Sequence, residues 1–117
     1  MARNMSFSLT TQQIQNRTKT VTRRKGWAFL RPGDRVWACR KCMGLKPGER
    51  IERLALLEVV SVRAEPLHAI DDDDVWLEGF NMPSHEFVEM FCQHMGGGRD
   101  QIVNRIEFKY LETKDGA

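Results

Sequence analysis

Between Thr18 and Lys25 the chain reads Thr-Lys-Thr-Val-Thr-Arg-Arg-Lys, four cations and three threonines within eight positions. A threonine hydroxyl becomes a nucleophile when a neighbouring base takes its proton. A lysine can be that base only if burial or another cation depresses its pKa. Lys19 and Thr22, with Arg17, Arg23 and Arg24 close by, are the residue types this chemistry needs. The same segment is equally suited to gripping phosphates, because cations interleaved with hydroxyls make such a surface. Arg17, Thr20, Arg23, Arg24 and Lys25 would contribute to it. It also suits a solvated edge strand that positive charge protects from aggregation.

Glu78, in Trp76-Leu77-Glu78-Gly79-Phe80, is the next residue of interest. The dipole at a helix C-terminus disfavours a carboxylate, so helix stability does not explain it. It either pairs with a distant cation such as Lys19 or Arg24, serves a site, or is a surface glutamate beside a capping glycine. Cys39 and Cys42, with Cys92 and His94, are four ligands of a type zinc accepts. Against zinc, Cys39 falls on a core position of an alternating strand, and Cys92 beside Phe91 falls on an apolar helix stripe. Trp27, Trp37, Trp76, Phe80 and Tyr110 read mainly as core residues, with stacking on a base as the alternative use. His68 and His85 read as surface or capping residues.

These residues need a scaffold, and the composition limits what it can be. The chain has 117 residues, 41% hydrophobic and 29% charged, which fits one soluble globular domain over residues 1–117. No apolar run reaches the roughly 18 residues of a membrane span, and no apolar signal core follows Arg3. With three cysteines and no export signal, reduced thiols and a cytoplasmic location are expected. The net charge of +2 conceals an asymmetry: 14 of the 18 basic residues but only 4 of the 16 acidic ones precede position 64. That distribution implies either a basic face open to an anionic partner or two halves that neutralise one another across the fold.

Ser6–Leu9 alternates as a short strand, and Thr10-Thr11 can cap a short helix through Gln15. A basic strand follows from about Lys19 to Arg24, with Thr20, Thr22 and Arg24 on one face and Lys19, Val21 and Arg23 on the other. Pro32-Gly33-Asp34 and Pro47-Gly48 mark turns, and Arg35–Cys39 and Leu54–Val62 read as strands. Pro66 ends the second of these. Asp71–Asp74 open a helix that Gly79 closes, and Pro83-Ser84 open another that Gly96-Gly97-Gly98 stop. A last strand, Ile102–Leu111, alternates Ile106, Phe108 and Tyr110 against Arg105, Glu107 and Lys109. The sum is an α+β fold: a small mixed barrel of about five to six strands with two to three short helices.

In this order Arg17–Arg24, the Pro32-Gly33-Asp34 turn, Glu58–Val62, Glu78-Gly79-Phe80 and Arg105–Phe108 resemble the ASCH domain, a relative of PUA domains. The likeness spans about residues 5–111. The family's G-x-K-x-x-x-x-R element falls on Lys19 and Arg24, with Arg17 in place of its glycine. The resemblance implies a PUA-like barrel, as in small stand-alone bacterial or phage proteins, with a cleft for RNA or a nucleoside. One branch, the N(4)-acetylcytidine amidohydrolases, uses a lysine base, a threonine nucleophile and a glutamate that orients or handles protons. Those roles would fall on Lys19, Thr22 and Glu78. Arg23 and the longer Cys39–Glu49 loop distinguish this chain from that branch. No metal or cofactor is expected, no membrane, and RNA or a nucleoside as partner, met by a monomer or weak homodimer. A non-catalytic RNA-binding module and a ribonuclease using the same cleft are the other functions it allows.

Overall fold

The computed structural model describes residues 2–42 and 44–112. Its centre is one five-stranded sheet: β1 (Arg3–Ser6), β2 (Val21–Arg24), β3 (Arg35–Cys39), β4 (Arg53–Pro66) and β5 (Ile102–Leu111), in the order β1-β3-β4-β5-β2. β1 runs parallel to β3, and the other pairings are antiparallel. The long β4 is rich in Leu and Val. It carries a bulge between Val59 and Ser61, which bends the strand and raises its twist. A curled half-barrel results, and three short helices close it: α1 (Thr11–Gln15), α2 (Asp72–Leu77) and α3 (Ser84–Met95). The expected α+β fold with a small mixed barrel is therefore present. Among the described residues no helix is long and apolar enough to cross a membrane.

Two apolar clusters support this shape. Met5, Phe7, Ile14, Val36, Leu57, Val59, Ile106 and Phe108 fill the concave side of the sheet. Leu67, Ile70, Val75, Phe87, Phe91 and Val103 join α2 and α3 to the far end of β4 and β5. Helix α3 supplies Phe87 and Phe91, one turn apart on its apolar stripe. Helix α2 starts where Asp71 Oδ1 accepts from the Asp74 backbone N–H at 2.8 Å, so the acidic run caps it as its residue types suggest.

Three expectations need correction. The first strand is Arg3–Ser6, not Ser6–Leu9. Its inward residues are Met5 and Phe7, while Leu9 is exposed, because pairing with β3 ends at Cys39. The basic strand does not present one face to water: Val21, Thr22 and Arg23 are all buried although β2 is an edge of the sheet. Trp76 is not a core residue; it is 65% exposed on the outer side of α2. Val75, its neighbour, takes the inward position instead.

Two left-handed residues shape the junction between α1, α2 and β2. Arg17 has φ 62°, the left-handed conformation that glycine tolerates best. Gly79 has φ 99° and ends α2 directly after Glu78. A Cβ on Gly79 would lie 2.8 Å from Gln13 Cγ. Gly79→Ala therefore adds a clash to a strained φ, and we expect it to destabilise the protein by about 2 kcal/mol in urea denaturation. An unchanged unfolding midpoint would show that this turn does not hold the fold.

Candidate functional site

The site is assembled by backbone tethers between distant segments. Thr20 N–H donates to Leu77 O at 2.9 Å, and Gln13 Nε2 donates to Gly79 O at 3.2 Å, so the end of α2 is bound to β2 and α1. Tyr110 Oη donates to Lys19 O at 2.6 Å and fixes this lysine ahead of the strand. These contacts leave the Lys19 and Glu78 side chains facing each other. Lys19 Nζ donates to Glu78 Oε1 and to the Glu78 backbone oxygen, each at 2.8 Å. Both side chains are only 3% exposed, so this is a buried ion pair and not a surface contact.

Arg23 extends the pair into a network. Its Nη1 donates to Glu78 Oε2 at 3.0 Å, and its Nη2 donates to Glu65 Oε2 at 3.0 Å and to Asp74. Arg105 then grips both oxygens of Asp74, at 2.6 and 3.1 Å. Every cation of the first half in this network meets a carboxylate of the second half. The charge asymmetry thus resolves here as neutralisation across the fold. Sequence alternation placed Arg105 opposite the apolar residues of β5, but α2 covers that face and buries it.

The pair opens on a cavity of about 80 Å³ between β1, β2 and α3. One water needs roughly 10–15 Å³ of such space, so the cavity has room for a small group of several atoms. Thr22, Arg24, Phe7, Phe80, Phe91 and His94 line it together with Lys19 and Glu78. Arg24 Nη2 donates to Ser6 O at 2.6 Å, linking the two edge strands, and its guanidinium lies 4.6 Å from the Phe7 ring centroid. Arg24 Nε donates to Thr22 Oγ1 at 3.1 Å. Among the described residues no carboxylate lies within ion-pair distance of Arg24, unlike Lys19 and Arg23.

Burial and charge shift these groups in interpretable directions. Burial lowers the Lys19 pKa below the ordinary lysine value of 10.5; Arg24 and Arg23 push the same way, and Glu78 opposes them. Burial also lowers Arg24, to about 10. The Arg105 hydrogen bonds, with help from Arg23, hold the Asp74 carboxyl at about 2.

Of the residues singled out from sequence, Lys19, Thr22, Arg23, Arg24 and Glu78 meet around this cavity. Arg17 does not line it; its Nη1 donates to Glu112 at 3.1 Å, and its guanidinium lies over Tyr110. Thr20 acts here through its backbone, and Lys25 is exposed with Nζ donating to Met95 O at 2.6 Å. The possible zinc ligands do not assemble: among the described residues no three His, Cys, Asp or Glu side chains gather at metal-binding distance. Cys39 is buried in β3, which pushes its thiol up to about 11, and His94 lines the cavity. Glu65, Asp74 and Arg105 do not stand out in the sequence as site residues. Their one sequence signal is a charged residue within a strand or the first turn of a helix, which solvent exposure explains equally well.

At the sequence level no family model and no curated protein matches this chain. Solved structures do match in shape. A protein of Enterococcus faecalis V583 from the DUF984 family superposes with TM-score 0.65 at 13% identity, over 94% of this chain and 79% of the other. The ASCH domain from Lactobacillus crispatus JV V101 gives 0.61 at 14% identity, over 92% and 78%. The hypothetical protein PH0355 gives 0.67 at 16% identity, over 95% and 100%. The chain has the fold of an ASCH domain. At these identities the likeness concerns the fold alone.

The ion network has a pH consequence. Asp74 moves from an ordinary 3.8 to about 2 in the folded protein, so between those values the unfolded chain binds the proton that the folded one refuses. Its contribution, about 2 kcal/mol, is complete above pH ~4 and disappears as the pH falls through ~2. Asp74→Asn should cost about 3 kcal/mol at neutral pH, because Arg23 and Arg105 lose a shared carboxylate. Urea unfolding at neutral pH and in acid checks both: the variant should show a shallower acid loss than the parent protein.

Proposed function

We propose that the cavity receives the base of a modified nucleoside and that the protein hydrolyses an acyl amide on it, with N(4)-acetylcytidine as the model substrate. One observation carries this reading. A buried lysine of depressed pKa, held by a glutamate, opens on the same base-sized cavity as a threonine hydroxyl.

The chemistry follows from these neighbours. Lys19 in its neutral form accepts the Thr22 proton as Thr22 Oγ1 attacks the acyl carbonyl. The new C–O bond forms, the C–N bond breaks, and the Lys19 proton passes to the departing amino nitrogen. Water then hydrolyses the threonyl ester. Glu78 orients Lys19 and stabilises its ammonium form, while Arg23 holds Glu78 in place. Arg24, already bonded to Thr22 Oγ1, favours negative charge developing on that oxygen. Phe7, Phe80 and Phe91 offer the apolar walls a base needs.

A second reading, binding of RNA or a nucleoside without catalysis, is favoured by one detail. Lys19 Nζ is bonded to Glu78 and Thr22 Oγ1 to Arg24, so the two reacting groups are paired with others and not with each other. The readings separate in a turnover assay with N(4)-acetylcytidine. Thr22→Val and Lys19→Met should each lower kcat by at least about a hundredfold, with Thr22→Ser retaining most of it. The rate should rise with pH below 10.5 as Lys19 loses its proton. Parent protein that leaves the compound intact, yet binds it, would establish the second reading instead.

A further inference from the structure

Cys39-Arg40-Lys41-Cys42 places two thiols three positions apart where β3 leaves the sheet, and neither thiol has a part in the hydrolysis. This spacing lets two sulfurs meet across one tight turn, as in thiol–disulfide exchange motifs. The local structure brings them together. A bulge between Ala38 and Cys39 bends the end of β3, and the Arg40 N–H donates to Glu52 O at 3.0 Å as the chain turns away. The intervening cations face solvent, where Arg40 Nε donates to Glu52 at 3.3 Å and Lys41 Nζ lies 3.6 Å from Glu49. Cys42 stands close enough to Cys39 for its charge and a hydrogen bond to add to burial in pushing the Cys39 thiol up.

We propose that Cys39 and Cys42 form a redox site, a dithiol that low-molecular-weight disulfides of the glutathione class convert reversibly to a disulfide, and that its state reaches the Arg24 wall of the cavity. Which molecule the cavity takes does not matter to this site.

The two cysteines are unequal in the way exchange requires. Cys39 is fully buried, with Sγ 3.4 Å from Trp37 O, whereas Cys42 is half-buried and is the sulfur a soluble disulfide can reach. Cys42 Sγ, as the thiolate, attacks one sulfur of glutathione disulfide. A mixed disulfide forms on Cys42, the S–S bond of the reagent breaks, and one glutathione leaves and takes up the proton. Cys39 then gives up its proton and attacks Cys42 Sγ, expelling the second glutathione. Two electrons pass from the protein thiols to the reagent, which becomes two thiols. The mixed disulfide holds its sulfur beside Cys39, so this second step is intramolecular. A metal would need more ligands, and among the described residues no third His, Cys, Asp or Glu joins the pair.

The pair is connected to the cavity through β1. Ser6 is the register partner of Cys39, and the Phe7 N–H donates to Cys39 O at 2.8 Å. Arg24 Nη2 donates to that same Ser6, and the Arg24 guanidinium covers the Phe7 ring. Negative charge on Cys42 also favours the protonated Arg24 guanidinium directly. Oxidation removes that charge and tightens the turn that follows Cys39.

Thiol alkylation followed by mass spectrometry, on the full chain equilibrated with increasing fractions of glutathione disulfide, tests the site. Cys39 and Cys42 should lose their thiols together and appear linked in one peptide, while Cys92 on α3 stays open to alkylation and dithiothreitol restores the pair. Cys42→Ser should leave Cys39 reduced, and Cys39→Ser should trap glutathione on Cys42. Cys42→Ser alters only a half-buried loop side chain, so it keeps the test decisive if Cys39→Ser, in the core, does not fold. Thiols that persist in excess glutathione disulfide would overturn the proposal, as would glutathione on each cysteine without a link between them. Proton–nitrogen NMR reads the connection: the Arg24 Nε–H signal should shift on oxidation of the parent protein and stay in place in Cys42→Ser. An unmoved Arg24 signal in fully oxidised protein would overturn the connection to the cavity. None of these readouts uses a nucleoside, so the hydrolase reading stands or falls separately.

Discussion

Burying a lysine and a glutamate together removes both from water, and the loss is offset only when each finds hydrogen-bond partners in a fixed geometry. Lys19 and Glu78 meet that condition through several contacts at once. The ammonium takes the carboxylate and the Glu78 carbonyl, while Arg23 takes the second carboxylate oxygen. Because one partner precedes β2 and the other ends α2, the pair requires the helix to dock on the edge of the sheet. The tethers from Thr20 to Leu77 and from Gln13 to Gly79 secure the same junction through the backbone. Fold and candidate chemistry therefore share one constraint.

That constraint explains how an edge strand can be basic and buried. Edge strands are commonly protected by solvated lysines. In β2, Arg23 instead turns toward carboxylates contributed by β4, by α2 and by Glu78 at the end of that helix. Arg24, with no such carboxylate among the described residues, spans the gap to Ser6 at the other edge of the sheet and supplies positive charge to the cavity. The network and the cavity thus divide the cations of one short segment: Lys19 and Arg23 are neutralised by carboxylates, while Arg24 keeps its charge at the cavity wall.

The outer surface follows a different physical logic. Trp76 projects from α2 into solvent, and Phe29 and Trp37 flank concave, cation-lined grooves. Aromatic residues that look alike in the sequence thus have different surroundings: Phe87 and Phe91 pack in the α2–α3 cluster, while Phe29 faces outward. Helical periodicity accounts for Phe87 and Phe91. Phe29 lies in an irregular turn between β2 and β3, where no repeat indicates which way a side chain points.

Much of the element order was legible from residue pattern because local physics dictates it. Arg35–Cys39 alternates and forms β3, Asp71 caps α2, and Pro66, Gly79 and Gly96 end their elements. Lys19, Thr22 and Glu78 were legible as chemically unusual residues for their positions. Three things depended on tertiary structure. Which carboxylate answers which cation depends on sequence separations of 59 residues for Lys19 with Glu78 and 95 for Arg17 with Glu112, across which local pattern carries no information. The first strand moved toward the N-terminus because the length of β3, not its own alternation, limits it. The burial of Arg23 and Arg105 followed from α2 covering a sheet face that alternation alone would leave in water.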